Sequence, residues 1–393
     1  MQNGVKKMNS KMKDFLKKDG TTSFLSSVAA IIVGLLIGFI ILLISDPKDA
    51  LKGFGAILTG AFSDGKNLGQ VFYFATPIIA TGLSVGFANK TGLFNIGGPG
   101  QFIVGAFFAI FVGVKATFLP GPLLCLTALI FAMIGGAIWG SVPGILKAFC
   151  NVNEVISCIM MNYIGMYLVN YMISKTVFDP LKNQTKAVKA AANLPKLGLD
   201  KIFKDGNASS SVNSGIIVVI LVAIGIYVLL NKTTFGYELK ASGFNPDAAK
   251  YAGINEKRNI VLSMAIAGAL CGLGGALLYL AGSGKGIDVV DTLAAEGFNG
   301  IPVALLGMNN PIGIIFSGIF ISYLTVGGFT MQLYNYAPQV IEIITAIIIY
   351  FSAFSLLIKG FIQKIMKKNS GGKPHIDSEL LKKNQAKRDG ENV

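Results

Sequence analysis

The chain has 393 residues, of which 52% are hydrophobic and 14% charged, whereas a water-soluble domain carries about 25% charged residues. Too little charge remains to coat a water-facing surface, so lipid is the solvent for most of the chain, in keeping with a mean hydropathy of +0.62. The net charge of +14 sits at the two ends and in two loops, which argues against a nucleic-acid face and for orientation in a membrane and attraction to its anionic lipids.

In chain order, residues 1–23 form a basic segment with Lys6, Lys7, Lys11, Lys13, Lys17 and Lys18. The first apolar run, Ser23 to Ser45, is longer than a signal-peptide core and no small-x-small site follows it, so an uncleaved span over 24–44 is expected. Further runs lie at 69–88, 94–114, 118–140, 154–174, 214–231, 260–281, 311–329 and 338–358, with a broken stretch at 297–308. Each approaches the roughly 20 residues a bilayer demands, giving about ten spans. A polar outer loop at 175–213 and a charged segment at 232–259 separate them. An even count puts both basic ends, 1–23 and the tail 359–393, on the cytoplasmic side with 232–259. The outer loop holds seven lysines, which long loops tolerate. The fold class expected is an all-α integral membrane protein whose transmembrane domain covers 24–358.

Two stretches interrupt this pattern. One reads Gly92-Leu93-Phe94-Asn95-Ile96-Gly97-Gly98-Pro99-Gly100-Gln101, and the other Gly297-Phe298-Asn299-Gly300-Ile301-Pro302-Val303-Ala304-Leu305-Leu306-Gly307. Opened backbone at membrane depth is tolerated only inside protein or beside a water-filled cavity. Paired breaks in two halves of a membrane protein point to a translocation path. Spans two to five and seven to ten then pair as a repeat, and their odd separation makes it an inverted one. Asn95 and Asn299 occupy equivalent places at the breaks. Asn95, Gln101, Asn162 and Asn299 can bond a sugar hydroxyl or a base edge. They can equally tie helices together, each bond contributing about 0.6–2 kcal/mol. Helix ties are the simpler role for any one asparagine; position adds weight to Asn95 and Asn299. Glu154, opening the fifth span, is interfacial, caps its helix or pairs with Lys147; gating and structure weigh evenly for it. Glu342 reads as interfacial. Asp288, Asp291 and Glu296 read as a solvated acidic loop, with a docking surface as the weaker alternative.

Small residues four apart (Gly34 and Gly38, Gly82 and Gly86, Gly136 and Gly140, Gly268 and Gly272) suit close helix contacts in lipid. Cys125, Cys150, Cys158 and Cys271 lie in apolar surroundings without a CxxC, and the single histidine, His375, lies in the tail, so no metal site and no catalytic residue is expected. Gly60-Ala61-Phe62-Ser63-Asp64-Gly65-Lys66-Asn67 fails as a P-loop because Asn67 replaces the required Ser or Thr. Gly284-Lys285-Gly286 fails as well. Energy from ATP must then reach this chain from a partner.

In the charged segment, Asn245, Pro246, Asp247, Ala248, Ala249, Tyr251 and Gly253 spell a short helix. Asn is a good N-cap, Pro suits the first turn, Asp favours the positive helix end, and Gly ends the helix. Such a helix in a cytoplasmic loop fits a groove on another protein; the plain alternative is a helix lying at the lipid interface.

Taken together, Gly92 to Gln101, Asn153-Glu154-Val155-Ile156-Ser157, Asn162-Tyr163-Ile164, Asn245 to Ile254 and Gly297 to Gly307 resemble one family. It is the permease family of bacterial ABC importers for ribose, nucleosides and branched-chain amino acids. The nucleoside (simple sugar-type) branch is most similar, over most of residues 65–360. The resemblance implies a permease subunit of an importer for nucleosides or related sugars in the bacterial cytoplasmic membrane. It implies a second permease subunit, identical or homologous, an extracellular substrate-binding lipoprotein, and ABC ATPase subunits that bind the ATP and Mg. No cofactor is implied for this chain, and Asn245 to Gly253 become the coupling helix. One departure is Pro99, where the nucleoside branch usually carries Glu. The competing readings are an ion-coupled secondary transporter or channel, for which mid-membrane carboxylates are nearly lacking, and a structural membrane protein, against which the paired breaks count.

Overall fold

The computed structural model describes residues 19–354 apart from 117, 207 and 335, together with residue 360. In chain order its helices are α1 (Asp19–Ser45), α2 (Ala50–Thr59), α3 (Gly65–Lys90), α4 (Gly98–Lys115), α5 (Gly121–Cys150) and α6 (Glu154–Thr176). Two short antiparallel hairpins, β1 (Phe178–Asp179) with β2 (Gln184–Thr185) and β3 (Lys204–Asp205) with β4 (Ala208–Ser209), flank α7 (Leu199–Ile202). Then come α8 (Gly215–Lys232), α9 (Thr234–Phe244), α10 (Pro246–Tyr251), α11 (Glu256–Tyr279), α12 (Ala295–Phe298), α13 (Gly300–Leu306), α14 (Pro311–Met331) and α15 (Pro338–Ala353). The chain divides into two units, Val33–Ala353 and a second made of Met1–Ile32 with Phe354–Val393. Everything that follows concerns the first. His375 and the lysines of both tails lie outside the described residues.

The all-α membrane architecture is as expected; the count of about ten spans is not confirmed by the described residues. Among the described residues seven helices are long and apolar enough to cross a membrane: α3 to α6, α8, α11, and α14 with the turn after it. The stretch expected as an eighth span is two helices of 4 and 7 residues, too short to cross singly. In α1 the apolar portion is Ile31–Ser45. Helix α15 has 16 residues, and the last part of the expected tenth span, 355–358, lies outside the described residues. Helix α2 was not anticipated, because glycines interrupt its short apolar pattern. It packs on α14, where a Cβ on Gly327 would collide with the Ile57 carbonyl.

Helix α3 organises the rest. Asp64 caps its start, accepting from Asn67 N at 2.6 Å. That carboxylate fills the anion-binding helix end, a second reason why this segment is no phosphate loop. Residues 75–88 of α3 are buried without interruption, as suits a helix surrounded by others. At Gly92, with φ +76°, the chain turns back through Gly92 N to Asn89 O at 3.3 Å and Leu93 N to Ala88 O at 2.9 Å, the hydrogen bonds of a Schellman motif. At a rise of about 1.5 Å per residue, α3 serves as a depth ruler. Its Gly65 end meets the loop after α6: a Cβ on Gly65 would lie 2.7 Å from the Lys204 carbonyl. Its Lys90 end meets α9 and the α13–α14 turn, where Asn89 Nδ2 donates to Asn309 Oδ1 at 3.0 Å.

The paired glycines act as helix contacts. A Cβ on Gly136 would lie 2.9 Å from Gly272 Cα, and one on Gly140 2.6 Å from the Met264 carbonyl and 2.9 Å from Gly268 Cα. Thus α5 and α11 cross with their backbones nearly touching. In lipid this close packing replaces the hydrophobic drive that water would supply.

The loop 175–213 is not the freely solvated stretch its polar composition suggests. Val177, Thr185, Ala192, Leu194 and Val212 are buried. Thr185 N donates to Ile287 O at 2.9 Å and Leu194 N to Leu280 O at 2.8 Å, clamping the loop to the segment after α11. Apolar residues scattered among lysines carry this packing. The acidic stretch is likewise held: Glu296 pairs with Lys285 at 3.2 Å, and Asp288 bridges to Gln184.

Candidate functional site

The two breaks meet. Gly297 in α12 lies against the first turn of α4: a Cβ there would sit 2.5 Å from Pro99 Cα and 2.7 Å from the Gly98 carbonyl carbon. Pro99 is buried in that turn. Having no N–H, it leaves no unpaired donor where α12 covers the helix end. A step further on, a Cβ on Gly300 would lie 2.5 Å from the Thr81 carbonyl. Both breaks therefore converge on α3, about 9–14 Å from its Lys90 end.

The first break is held by amides. Asn95 Nδ2 donates to Ser84 Oγ at 3.0 Å and to Gln101 Oε1 at 2.8 Å. Its Oδ1 accepts from Gly97 N at 3.1 Å and from Gln101 Nε2 at 3.0 Å. Ser84 Oγ in turn donates to the Ala267 carbonyl of α11 at 2.6 Å. From α6, Asn162 Oδ1 accepts from Gly100 N at 2.9 Å and its Nδ2 donates to Ile96 O at 3.0 Å. Ser84, Asn95, Gln101 and Asn162 are all buried. Asn95 uses both donors and both lone pairs, so nothing is left over for a solute. The network links α3, α4, α6 and α11 around one gap in the backbone, the helix-tying role open to each amide singly.

The second break is built differently. Asn299 has helical dihedrals, φ −60° and ψ −17°, so the interruption is a bend between α12 and α13 and not an unwound residue. Asn299 and Phe298 are exposed, whereas Gly297 and Gly300 are buried. Helix α13 ends on Met308 and Asn309, at φ +56° and +54°, with Asn309 N closing on Ala304 O at 2.8 Å. A non-glycine pair in this region is strained backbone. The structure does not bring Asn299 into the amide network, although the sequence places it level with Asn95.

Glu154 takes the Lys147 option. Its Oε2 lies 2.6 Å from Lys147 Nζ, across the turn between α5 and α6. The cap of α6 is Asn153, which accepts from Val155 N at 2.8 Å. At the same end of the molecule, Asn245 caps α10 by accepting from Ala248 N at 3.0 Å. Gly253, at φ +81°, ends α10: Gly253 N meets Lys250 O at 3.0 Å and Ile254 N meets Ala249 O at 3.0 Å. Tyr251 is 94% exposed while Ala249 is 3% exposed, so Ala249 packs inward and the free face is made by Pro246, Asp247, Ala248, Lys250 and Tyr251. Sequence reasoning missed α9, which carries α10. Ser242 of α9 accepts from Asn259 Nδ2 at 2.9 Å, and Gly243 lies against the Gly92 turn. Of the cysteines, Cys125, Cys158 and Cys271 are buried and Cys150 is exposed. Among the described residues no cluster of His, Cys, Asp or Glu could hold a metal ion.

A bundle of membrane-length helices whose core holds two broken stretches in contact defines a polytopic transport subunit. The model of one family, described as branched-chain amino acid transport system / permease component, matches residues 67–353, and the chain belongs to that family. It is 40% identical to the guanosine ABC transporter permease protein NupP of Bacillus subtilis (strain 168), over 87% of this chain and 96% of that one. It is 35% identical to the nucleoside ABC transporter permease protein NupB of Lactococcus lactis subsp. cremoris (strain MG1363), over 88% and 94%. It is 30% identical to the glucose ABC transporter permease protein of Haloferax volcanii, over 86% and 88%. No solved structure matches the chain. The family is one of multi-pass transport subunits and not of enzymes, and such permeases work with ATPase and substrate-binding partners.

Proposed function

We propose that this chain is a permease of an ATP-driven importer of nucleosides, forming half of the passage and taking its power from separate ATPase subunits. The contact of the two helix breaks at Gly98 and Gly297 carries the reading, because paired helix breaks in two halves of a membrane protein point to its passage. The names of the relatives at 40% and 35% identity favour nucleosides over glucose. In this reading the Lys90 end, which carries α10 and the turn between α5 and α6, faces the cytoplasm, and the Gly65 end, which meets the loop 175–213, faces outward. Both chain termini then lie in the cytoplasm.

Substrate leaves an extracellular binding lipoprotein at the Gly65 end and enters between this permease and a second one. The α10 face around Asp247, Ala248 and Tyr251 docks into the ATPase, which binds the ATP and Mg. Closure of the ATPase pair on ATP favours one of two permease arrangements, and hydrolysis releases it; the shift is driven by the differing ATP affinity of the two states. The test is uptake of tritiated nucleosides into membrane vesicles holding the permeases, ATPase and binding protein. ATP-dependent uptake that requires the binding protein is expected. Uptake driven by an ion gradient without ATPase subunits overturns the proposal in favour of a secondary transporter.

A further inference from the structure

Helix α6 is fastened by two amides. Asn162 holds the first break, as described, and Asn170 donates from Nδ2 to the Val290 carbonyl at 3.0 Å, in the segment between α11 and α12. Between and beyond these ties α6 turns a free face outward. Tyr163, Tyr167 and Tyr171 lie on it, 50%, 56% and 61% exposed. Their spacing of four stacks them along one side of the helix, each about 6 Å above the last. Their hydroxyls take no hydrogen bond among the described residues; Lys175 Nζ lies over the Tyr171 ring at 5.8 Å.

On this face the three tyrosines alternate with Ile159, Met160, Ile164 and Leu168, whereas the exposed large residues of α8 (Ile217, Leu221, Ile224 and Val228) and of α5 (among them Leu126, Ile130, Ile134 and Ile138) include no tyrosine. Tyrosine favours the two membrane interfaces, where its hydroxyl reaches water. Tyr163 and Tyr167 lie about 14 and 20 Å into a helix of roughly 34 Å, near its middle. An unpaired phenol in hydrocarbon there is unfavourable. Water, and not lipid, is the medium that satisfies three such groups in a row.

We propose that Tyr163, Tyr167 and Tyr171 line the passage and form the surface on which the aromatic base of the substrate stacks as it crosses. This rests on the nucleoside reading above. Stacking on an aromatic ring tolerates any base, since every base has a π-face, so such a ladder carries purines and pyrimidines without gripping either. Rings repeated at this interval let a base engage the next before it has left the last. A sugar without a base gains little from the same surface.

Two experiments on the assembled transporter test this. Cys150→Ser leaves only the buried Cys125, Cys158 and Cys271; in that background Tyr163→Cys, Tyr167→Cys and Tyr171→Cys are exposed to a membrane-impermeant cationic thiol reagent. Labelling that a purine nucleoside slows is expected. An unreactive cysteine at 167 places the face against lipid or a second permease copy and overturns the proposal. In uptake, replacing all three by Leu reduces nucleoside transport by about tenfold or more, the loss of a stacking contact, in a complex that still purifies intact. Replacement by Phe retains uptake to within about twofold, because the ring remains. Undiminished uptake with Leu, or equal loss with Phe and Leu, overturns the stacking surface. A wild-type complex that takes up a pentose but no nucleoside instead refutes the substrate reading, before any tyrosine is changed.

Discussion

Gly243 at the end of α9 lies backbone to backbone against Gly92 at the end of α3: a Cβ on Gly243 would sit 2.6 Å from Gly92 N, and one on Gly92 2.6 Å from the Gly243 carbonyl oxygen. No side chain cushions this contact. If α10 is the coupling helix, a displacement of it would be passed through this contact to the turn that leads into Asn95 and α4. Gly243→Val forces the two turns apart, with an overpacking cost of about 1–3 kcal/mol. The expected result is a complex that assembles, unfolds at lower temperature and has lost ATP hydrolysis stimulated by the loaded binding protein. Normal stimulation in Gly243→Val removes this contact as the relay.

Exchanging Asn95 for Leu strands the Gly97 N–H and the Gln101 amide in a buried place. Each unsatisfied group costs about 1–3 kcal/mol, so Asn95→Leu lowers the thermal midpoint of the purified permease more than Asn299→Leu, whose side chain is exposed. A double-mutant cycle of Asn95→Leu with Gln101→Leu should show coupling of about 0.5–3 kcal/mol. Additive losses would mean that the two amides act separately.

The α5–α11 crossing has no room for side chains. Gly268→Leu puts a branched chain against Gly136 and Gly140 and is expected to prevent recovery of monodisperse protein. Gly225→Leu is the control, since nothing lies within 4 Å of a Cβ there. Size-exclusion profiles after membrane extraction distinguish the two, and equal yields would contradict the close crossing.

For Lys147 and Glu154 the helix ends matter as well as the pair. Lys147 is in the last turn of α5 and Glu154 in the first turn of α6, each favourable to its helix dipole. Lys147→Glu or Glu154→Lys alone lowers the thermal midpoint. The double swap restores the ion pair but opposes both dipoles, so it recovers only part of the loss. Full recovery would assign the whole effect to the pair.

On α10 the burial pattern separates docking from folding. Asp247→Lys and Tyr251→Ala are expected to leave the permease stable while reducing co-purification of the ATPase. Ala249→Leu destabilises the permease itself, because Ala249 is buried. Retention of the ATPase by Asp247→Lys and Tyr251→Ala together would exclude this face as the docking surface.

Much of this molecule is written in short windows of the chain. Runs of apolar residues mark the long helices, and Asn245, Pro246 and Gly253 mark a capped helix because capping acts within a few residues. The glycine pairs of α5 and α11 announce a close contact, since only small residues let helices approach in lipid. The same windows mislead where partners are distant. They show 175–213 only as a polar loop, although it is clamped to residues 280–289, and they set Asn299 beside Asn95 in role. Whether a carboxamide binds solute or ties helices depends on which donors and acceptors lie across the fold, and Asn95 finds its own on Ser84 and Gln101. The meetings of Gly98 with Gly297, and of Gly92 with Gly243, join residues more than 100 positions apart. Periodicity and propensity decide which segments are helices; only packing in three dimensions decides which backbones touch, and therefore where the breaks converge.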